Sequence, residues 1–87
     1  MRNEFYVECY LQGSTGAVKL ADLACDHTDA ARVSLAHTLA GMYRPEDTDR
    51  VSLRLRQATA EDAAGVAQRL EGPLADAWRA ACRDLLQ

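Results

Sequence analysis

The chain has 87 residues, of which 48% are hydrophobic and 26% are charged, and its formal net charge is −3 at pH 7. This length predicts a single small domain spanning residues 1–87, with no linker and no second domain. The negative net charge argues against general electrostatic binding to DNA or to anionic membranes, because both depend on summed positive charge.

The hydrophobic core is expected to be small. Sixteen of the hydrophobic residues are alanines, so the bulk must come from leucine, valine, methionine and a few aromatic residues. A chain of this size buries only about 60–65% of the surface of its unfolded form. We therefore expect a monomer or a homodimer, and we favour the homodimer because it would bury additional apolar surface.

The cysteines and the N-terminus indicate the compartment. Cys9, Cys25 and Cys82 are an odd number of cysteines, and residues 2–4 are polar where a signal peptide would become apolar. No apolar run approaches the roughly 20 residues that a membrane span requires. We expect a cytoplasmic protein with free thiols and no membrane association.

The first third of the chain predicts a β-hairpin. Residues 4–12 alternate between apolar and polar side chains with the period of a half-buried strand. Gly13 and Gly16 flank a turn, and residues 17–25 fit either a returning strand or a helix. We favour the strand, because Val18 and the next leucine alternate with Lys19.

A helix is predicted next. Asp26 is its expected cap with Asp29 three residues later, and Thr28 is the alternative cap. Its apolar stripe has helical spacing and consists of Ala31, Leu35, Leu39 and Met42. Pro45 lies in the polar loop that we expect over residues 44–49.

The clearest strand is predicted over residues 50–57. Its aliphatic residues alternate with Ser52, Arg54 and Arg56, so one face should pack on the core and the other should carry the arginines. Residues 44–60 contain four basic and three acidic residues and are net positive, whereas residues 1–43 and 61–87 are both net negative.

Two C-terminal helices follow this strand. Thr59 and Asp62 have the spacing of a capping box, and Gly72 with Pro73 separates the two helices. A single kinked helix is the alternative. The buried faces are predicted to contain Ala63, Val66, Ala67 and Leu70 in the first, and Leu74, Ala77, Trp78, Ala81 and Leu85 in the second.

These elements predict an α+β fold in the order β-β-α-β-α-α. The sheet should have three mostly antiparallel strands, with the helices packed on one face. Helical structure over residues 17–25 would change the order to β-α-α-β-α-α.

The sequence offers few candidates for catalysis or for metal and cofactor binding. Cys25 and His27 could form a reactive pair, but we interpret them as a buried thiol and an exposed histidine. There is no CxxC or HxxxH pair for zinc, residues 46–49 lack the ligand spacing of a calcium loop, and Gly13 and Gly16 do not make a phosphate loop. We predict no enzyme activity, metal or cofactor.

The strongest functional pattern is a shared sheet face carrying Tyr6, Tyr10, Arg54 and Arg56. Tyrosine and arginine are enriched at protein interfaces, and the same residues can stack on unpaired bases and grip phosphates. The simpler alternative is a solvated face on which Glu8 pairs with an arginine across the strands. Because the whole chain and Glu8 are acidic, we favour a protein partner, itself with an acidic surface, over nucleic acid.

Trp78 is the only tryptophan, and we expect it in the core, which is the commoner fate, with a dimer contact as the alternative. A dimer contact would be formed by Trp78, Cys82 and Leu86, where Ala75 extends a second apolar line along the last helix.

These features favour a protein-binding module, such as a small inhibitor or adaptor that occludes a surface of a larger assembly. By analogy with proteins of phages or mobile elements that act on host machinery, which often have this size and lack catalytic residues, we expect a protein of that kind. The alternative is a single-stranded nucleic-acid-binding protein that uses the tyrosine and arginine face.

Overall fold

A computed structural model describes residues 3–85, apart from the side chain of Thr48. The elements in chain order are β1 (Glu4–Gly13), β2 (Gly16–Asp26), α1 (Asp29–Met42), a 3-10 helix (Pro45–Arg50), β3 (Val51–Arg56), α2 (Ala60–Ala67) and α3 (Gly72–Leu85). The predicted α+β class and the order β-β-α-β-α-α are confirmed, and a 3-10 helix replaces the predicted loop before β3.

The three strands form one open antiparallel sheet in the order β2-β1-β3. The ambiguous segment is a strand because it pairs with β1 along its whole length, from Gly16 opposite Gly13 to Asp26 opposite Glu4. Gly16 has a φ of 126°, a conformation that favours glycine in the turn.

β2 contains an irregularity that the sequence pattern did not predict. Cys9 lies opposite Ala21 whereas Tyr10 lies opposite Lys19, so Leu20 is an extra residue and forms a β-bulge. The bulge interrupts the alternation of side chains. Lys19 and Asp22 therefore lie close enough for Nζ and Oδ2 to be 3.3 Å apart.

The core lies between one face of the sheet and the helices. The side chains of β1 and β3 that face the helices are at most 7% exposed. They belong to Phe5, Val7, Cys9, Leu53 and Leu55. The helices add Leu35, Leu39, Val66 and Trp78 to the same cluster. The intervening residues of the strands point to the other face, which no helix covers, as predicted.

Threonine side chains set the starts of α1 and α2. The cap of α1 is Thr28, whose Oγ1 accepts a hydrogen bond from the Ala31 N–H at 3.2 Å, so the preferred assignment to Asp26 was wrong. A threonine cap is favoured there because its hydroxyl reaches an amide that has no partner within the helix. Thr59 and Asp62 form the predicted capping box of α2.

Trp78 belongs to the core of the protomer. Its side chain is 0% exposed, and its Nε1–H donates a hydrogen bond to the Ala63 carbonyl at 2.9 Å. Of the two fates that the sequence left open for Trp78, the structure shows burial in the core, and the indole is enclosed by its own chain. Ala75 is also buried, Cys82 is half-buried, and Leu86 lies outside the described residues.

Candidate functional site

The uncovered side of the sheet, which we call the open face, carries the four predicted residues. Tyr6 lies directly opposite Arg56, Glu8 opposite Arg54, and Tyr10 opposite Ser52. The structure therefore brings Tyr6, Tyr10, Arg54 and Arg56 together on one surface, centred on Glu8. Their role in binding a partner stays a prediction.

Glu8 organises the centre of the open face. Its Oε1 accepts a hydrogen bond from the Tyr10 hydroxyl at 3.1 Å and lies 3.1 Å from Lys19 Nζ. The hydrogen bond from Lys19 is the main reason that the pKa of Glu8 lies below its ordinary value. Glu8 is thus an ionised acceptor that fixes the tyrosine and the lysine beside it.

Arg56 is the second fixed group. Its guanidinium lies 5.0 Å from the centroid of the Tyr6 ring, a cation–π arrangement. Its nitrogens also lie 3.8 Å from Glu8 Oε2 and 3.6 Å from Asp22 Oδ2. Glu8 therefore pairs with Arg56, which lies diagonally across the strands, and not with Arg54 directly opposite. Its contact with Lys19, at 3.1 Å, is shorter than its contact with Arg56, at 3.8 Å.

Arg54 differs from its neighbours. It is exposed and lies opposite Glu8, yet its side chain makes no hydrogen bond or ion pair within residues 3–85. A guanidinium presents five donors and stays charged at any physiological pH. Arg54 is therefore a cationic donor that the fold itself does not use.

A buried polar cluster lies below the sheet and was not predicted. The Asp62 side chain is 0% exposed, and its Oδ1 accepts hydrogen bonds from Arg32 Nε at 3.0 Å and from an Arg32 terminal nitrogen at 2.8 Å. Its Oδ2 lies 2.6 Å from His27 Nδ1 and accepts from the Thr59 N–H at 2.9 Å. Another Arg32 nitrogen donates to Asp29 at 2.9 Å, so α1, α2 and the segment before α1 are joined.

Sequence reasoning assigned Asp62 only a capping role and treated His27 as solvent-exposed, which was wrong. His27 is partly buried, bonded to Asp62, and its ring centroid lies 5.5 Å from that of Phe5. One signal for the cluster was present: Arg32 precedes Leu35 and Ala36 by three and four residues, and therefore lies on the buried stripe of α1.

Cys25 is not activated by His27. Burial and, after it, the negative charges of Asp62 and Asp26 together raise the pKa of the Cys25 thiol to about 11. The thiol donates a hydrogen bond to the Asp26 carbonyl at 3.2 Å, while the histidine is committed to Asp62. A thiol with this pKa is protonated at neutral pH and is a poor nucleophile.

We expect the buried cluster around Asp62 to make the free energy of unfolding depend on pH in the acid range. Burial alone would raise the pKa of Asp62, but the hydrogen bonds from Thr59, Arg32 and His27 outweigh it and hold the pKa below the ordinary 3.8. A carboxyl whose pKa is lower in the folded chain than in the unfolded chain stabilises the folded chain. Its contribution is complete at a pH above the pKa of the unfolded chain, and it is lost as the pH falls through the pKa of the folded chain. NMR titration of the carboxyl carbon of Asp62 should therefore show a midpoint below 3.8. A midpoint above that value would contradict the assignment.

The four residues predicted to bind a partner lie on the open face, and the described residues show no metal site or membrane span beside it. In the part of the chain that the structure describes, no group of three or more histidine, cysteine or acidic residues is placed to hold a metal ion. Across residues 3–85, none of the helices has the length and apolarity needed to span a membrane.

No protein-family model, curated protein or solved structure significantly matches this chain.

Proposed function

We propose that this chain is a non-enzymatic protein-binding module, such as an inhibitor or adaptor that occludes a surface of a larger assembly. The open face is the docking surface, and Tyr6, Tyr10, Arg54 and Arg56 are the contact residues. The supporting observation is that Arg54 is exposed and unpaired within residues 3–85 while the groups around it are held in place.

The open face suits docking because several of its side chains are already fixed before a partner binds, so little conformational entropy is lost on binding. Tyr10 is held by Glu8, and Tyr6 is covered by Arg56, so these side chains lose less rotational freedom when a partner arrives. Large amphipathic rings next to arginine are typical of the residues that contribute most to binding.

The charges of the open face define the partner. Around Arg54, three cationic groups, Lys19, Arg54 and Arg56, lie beside two carboxylates, Glu8 and Asp22, which leaves a local excess of one positive charge, while Glu4 and Asp26 lie at the far end of the same face. The two carboxylates are paired, whereas Arg54 has no counterion within the described residues. The complementary surface is therefore acidic and places a carboxylate opposite Arg54.

Arg54→Glu should weaken binding of the partner at least roughly tenfold, because a favourable charge contact becomes a repulsive one. The fold should change little, since the Arg54 side chain is exposed and unpaired within the described residues, and the new carboxylate opposite Glu8 should cost at most about 1 kcal/mol. The measurement is affinity capture from native lysate with mass spectrometry, followed by titration of the purified partner.

Arg44→Glu is the matched control, because Arg44 is also exposed but lies outside the open face. Arg56→Glu is a poorer test, since it would also remove the cation–π contact with Tyr6 and the ion pairs with Glu8 and Asp22 that hold the face together. Equal affinity of the Arg54→Glu variant and the control would place the docking surface elsewhere.

Single-stranded nucleic acid is the second candidate ligand. The stack of Arg56 on Tyr6 with Tyr10 nearby resembles the combination of rings and cations that holds unpaired bases. The paired carboxylates of Glu8 and Asp22 oppose it by repelling phosphates. Oligonucleotide binding that weakens steeply with salt would favour this candidate over a protein partner.

The proposal includes a cytoplasmic location and a homodimer. The location is supported by three free cysteines, since thiols persist in reducing compartments. The homodimer is supported by the half-buried Cys82 on α3 and by the small core. Light scattering that shows only monomer at high micromolar concentration would remove the homodimer from the proposal.

A further inference from the structure

A groove runs along the outer edge of β3, between that strand and α3. β3 pairs with β1 on one side and is the outermost strand of the sheet on its other side. The groove has a volume of about 440 Å³. The residues that line it are Leu53, Arg54, Leu55, Ala81, Asp84 and Leu85. The first three are consecutive residues of β3, so the groove follows the edge of the strand.

The edge of β3 has the regular geometry that pairing with another strand requires. Its register with β1 is continuous, and its six residues contain no proline. The opposite edge of the sheet differs, because β2 is interrupted by the bulge at Leu20, and bulges protect sheet edges from pairing. Along a regular edge, alternate residues direct their N–H and C=O groups away from the sheet. Within residues 3–85 no second strand pairs with these groups of β3.

The two sides of β3 differ in chemistry. Leu53 and Leu55 are buried against the helices, and Ala81 of α3 extends this apolar wall along the groove. Arg54 and Arg56 point the opposite way, to the open face. A strand that pairs with this edge therefore needs aliphatic side chains on the helix side, and its remaining side chains must match the two arginines.

Arg54 determines the charge of those remaining side chains. It has no counterion within the described residues, whereas Arg56 lies 3.8 Å from a carboxylate oxygen of Glu8. Opposite charges that face each other across two strands stabilise the pairing, and like charges destabilise it. Asp84 also lines the groove, but it belongs to α3, which lies on the other side of the sheet from Arg54. A carboxylate on the open side and an aliphatic chain on the helix side are therefore the matching pattern.

We propose that the partner of the open face adds an extended segment to the edge of β3 as a fourth strand, in which acidic and aliphatic residues alternate. The acidic residues lie beside Arg54 and the aliphatic residues lie against Leu53 and Leu55. Strand addition of this kind takes affinity from backbone hydrogen bonds and specificity from alternate side chains. The inference rests on the proposed function and adds to it the conformation and the sequence pattern of the partner.

The test uses a fluorescein-labelled hexapeptide in which valine and glutamate alternate, with fluorescence anisotropy as the readout. Six residues of strand extend roughly 20 Å, the length of β3. Replacing the glutamates by lysines should weaken binding at least roughly tenfold, because lysine would then lie beside Arg54. N-methylation of alternate amides should abolish binding in one frame and be tolerated in the other, since only alternate N–H groups face β3. Amide NMR signals of residues 51–56 should shift when the glutamate peptide is added.

The matching variant of the protein is Asp84→Trp, which places a large ring in the groove and leaves Arg54 in place. It should weaken the glutamate peptide at least roughly tenfold, because the ring clashes with an added strand. The control is Asp76→Trp, the same change at an exposed position of α3 that does not line the groove. Arg54→Glu should also weaken the peptide, because glutamate would then face glutamate.

The outcomes separate this inference from the proposed function. A captured partner that is lost with Arg54→Glu but retained with Asp84→Trp would overturn strand addition and leave the proposed function standing. Failure of the glutamate peptide to bind, or equal binding after N-methylation in both frames, would also overturn strand addition. Self-association that displaces the peptide would assign the edge to a second copy of this chain and overturn it as well. A partner retained by Arg54→Glu would contradict both proposals.

Discussion

Replacing Asp62 by alanine should lower the free energy of unfolding by about 3–5 kcal/mol, the typical cost of breaking a buried ion pair by removing one partner. The variant would leave the guanidinium of Arg32, which is 6% exposed, without the carboxylate that neutralises it. It would also remove the acceptor of the Thr59 N–H and with it half of the capping box of α2. A domain of this size has a total stability of only about 4–13 kcal/mol. Urea denaturation followed by circular dichroism should therefore show a large loss or an unfolded chain.

Asp29→Ala is the control for this experiment. It removes the same charge from the same arginine, but Asp29 is 87% exposed and water can replace it. The expected loss is below about 1 kcal/mol, as for exposed ion pairs in general. Similar losses for the two variants would mean that burial of Asp62 has no energetic importance.

The strands and the open face could be predicted because their signals are local. Period-two alternation in residues 4–12 and 51–56 gives both the strands and the face to which Tyr6 and Arg54 belong. Residues 17–25 could not be decided this way, because their alternation is interrupted at Leu20, where the bulge lies. That bulge also places Lys19 beside Glu8, a contact that strict alternation does not foresee.

The buried cluster could not be predicted because it depends on how α1 packs against α2. Arg32 and Asp62 are 30 positions apart in the chain and meet only through that packing. A capping aspartate is normally exposed, so its spacing from Thr59 gave no sign of a buried charge. The burial of Trp78 could be predicted from its spacing on the apolar side of its helix, but its hydrogen bond to the Ala63 carbonyl depends on how α3 packs against α2.

The second large effect is expected at Gly65, in the middle of α2. Glycine inside a helix is ordinarily less favourable than alanine by about 1 kcal/mol, so the substitution should stabilise a free helix. Here a Cβ at Gly65 would lie 2.8 Å from Cδ of Arg32, which is too close. Arg32 cannot easily move, because its guanidinium is held by Asp62 and Asp29. We expect Gly65→Ala to destabilise the protein by about 1–3 kcal/mol, the usual range for overpacking.

Gly41→Ala gives the opposite sign and is the matched control. Gly41 lies in the last turn of α1, and a Cβ there would meet no atom within 4 Å. Alanine should therefore stabilise the protein by up to about 1 kcal/mol. Both variants are measured by urea denaturation under identical conditions. A stabilising effect of Gly65→Ala would contradict this prediction, because it would mean that Arg32 can move away from α2. The ion pair between Arg32 and Asp62 would then not hold α1 and α2 rigidly together, as its distances of 3.0 and 2.8 Å indicate.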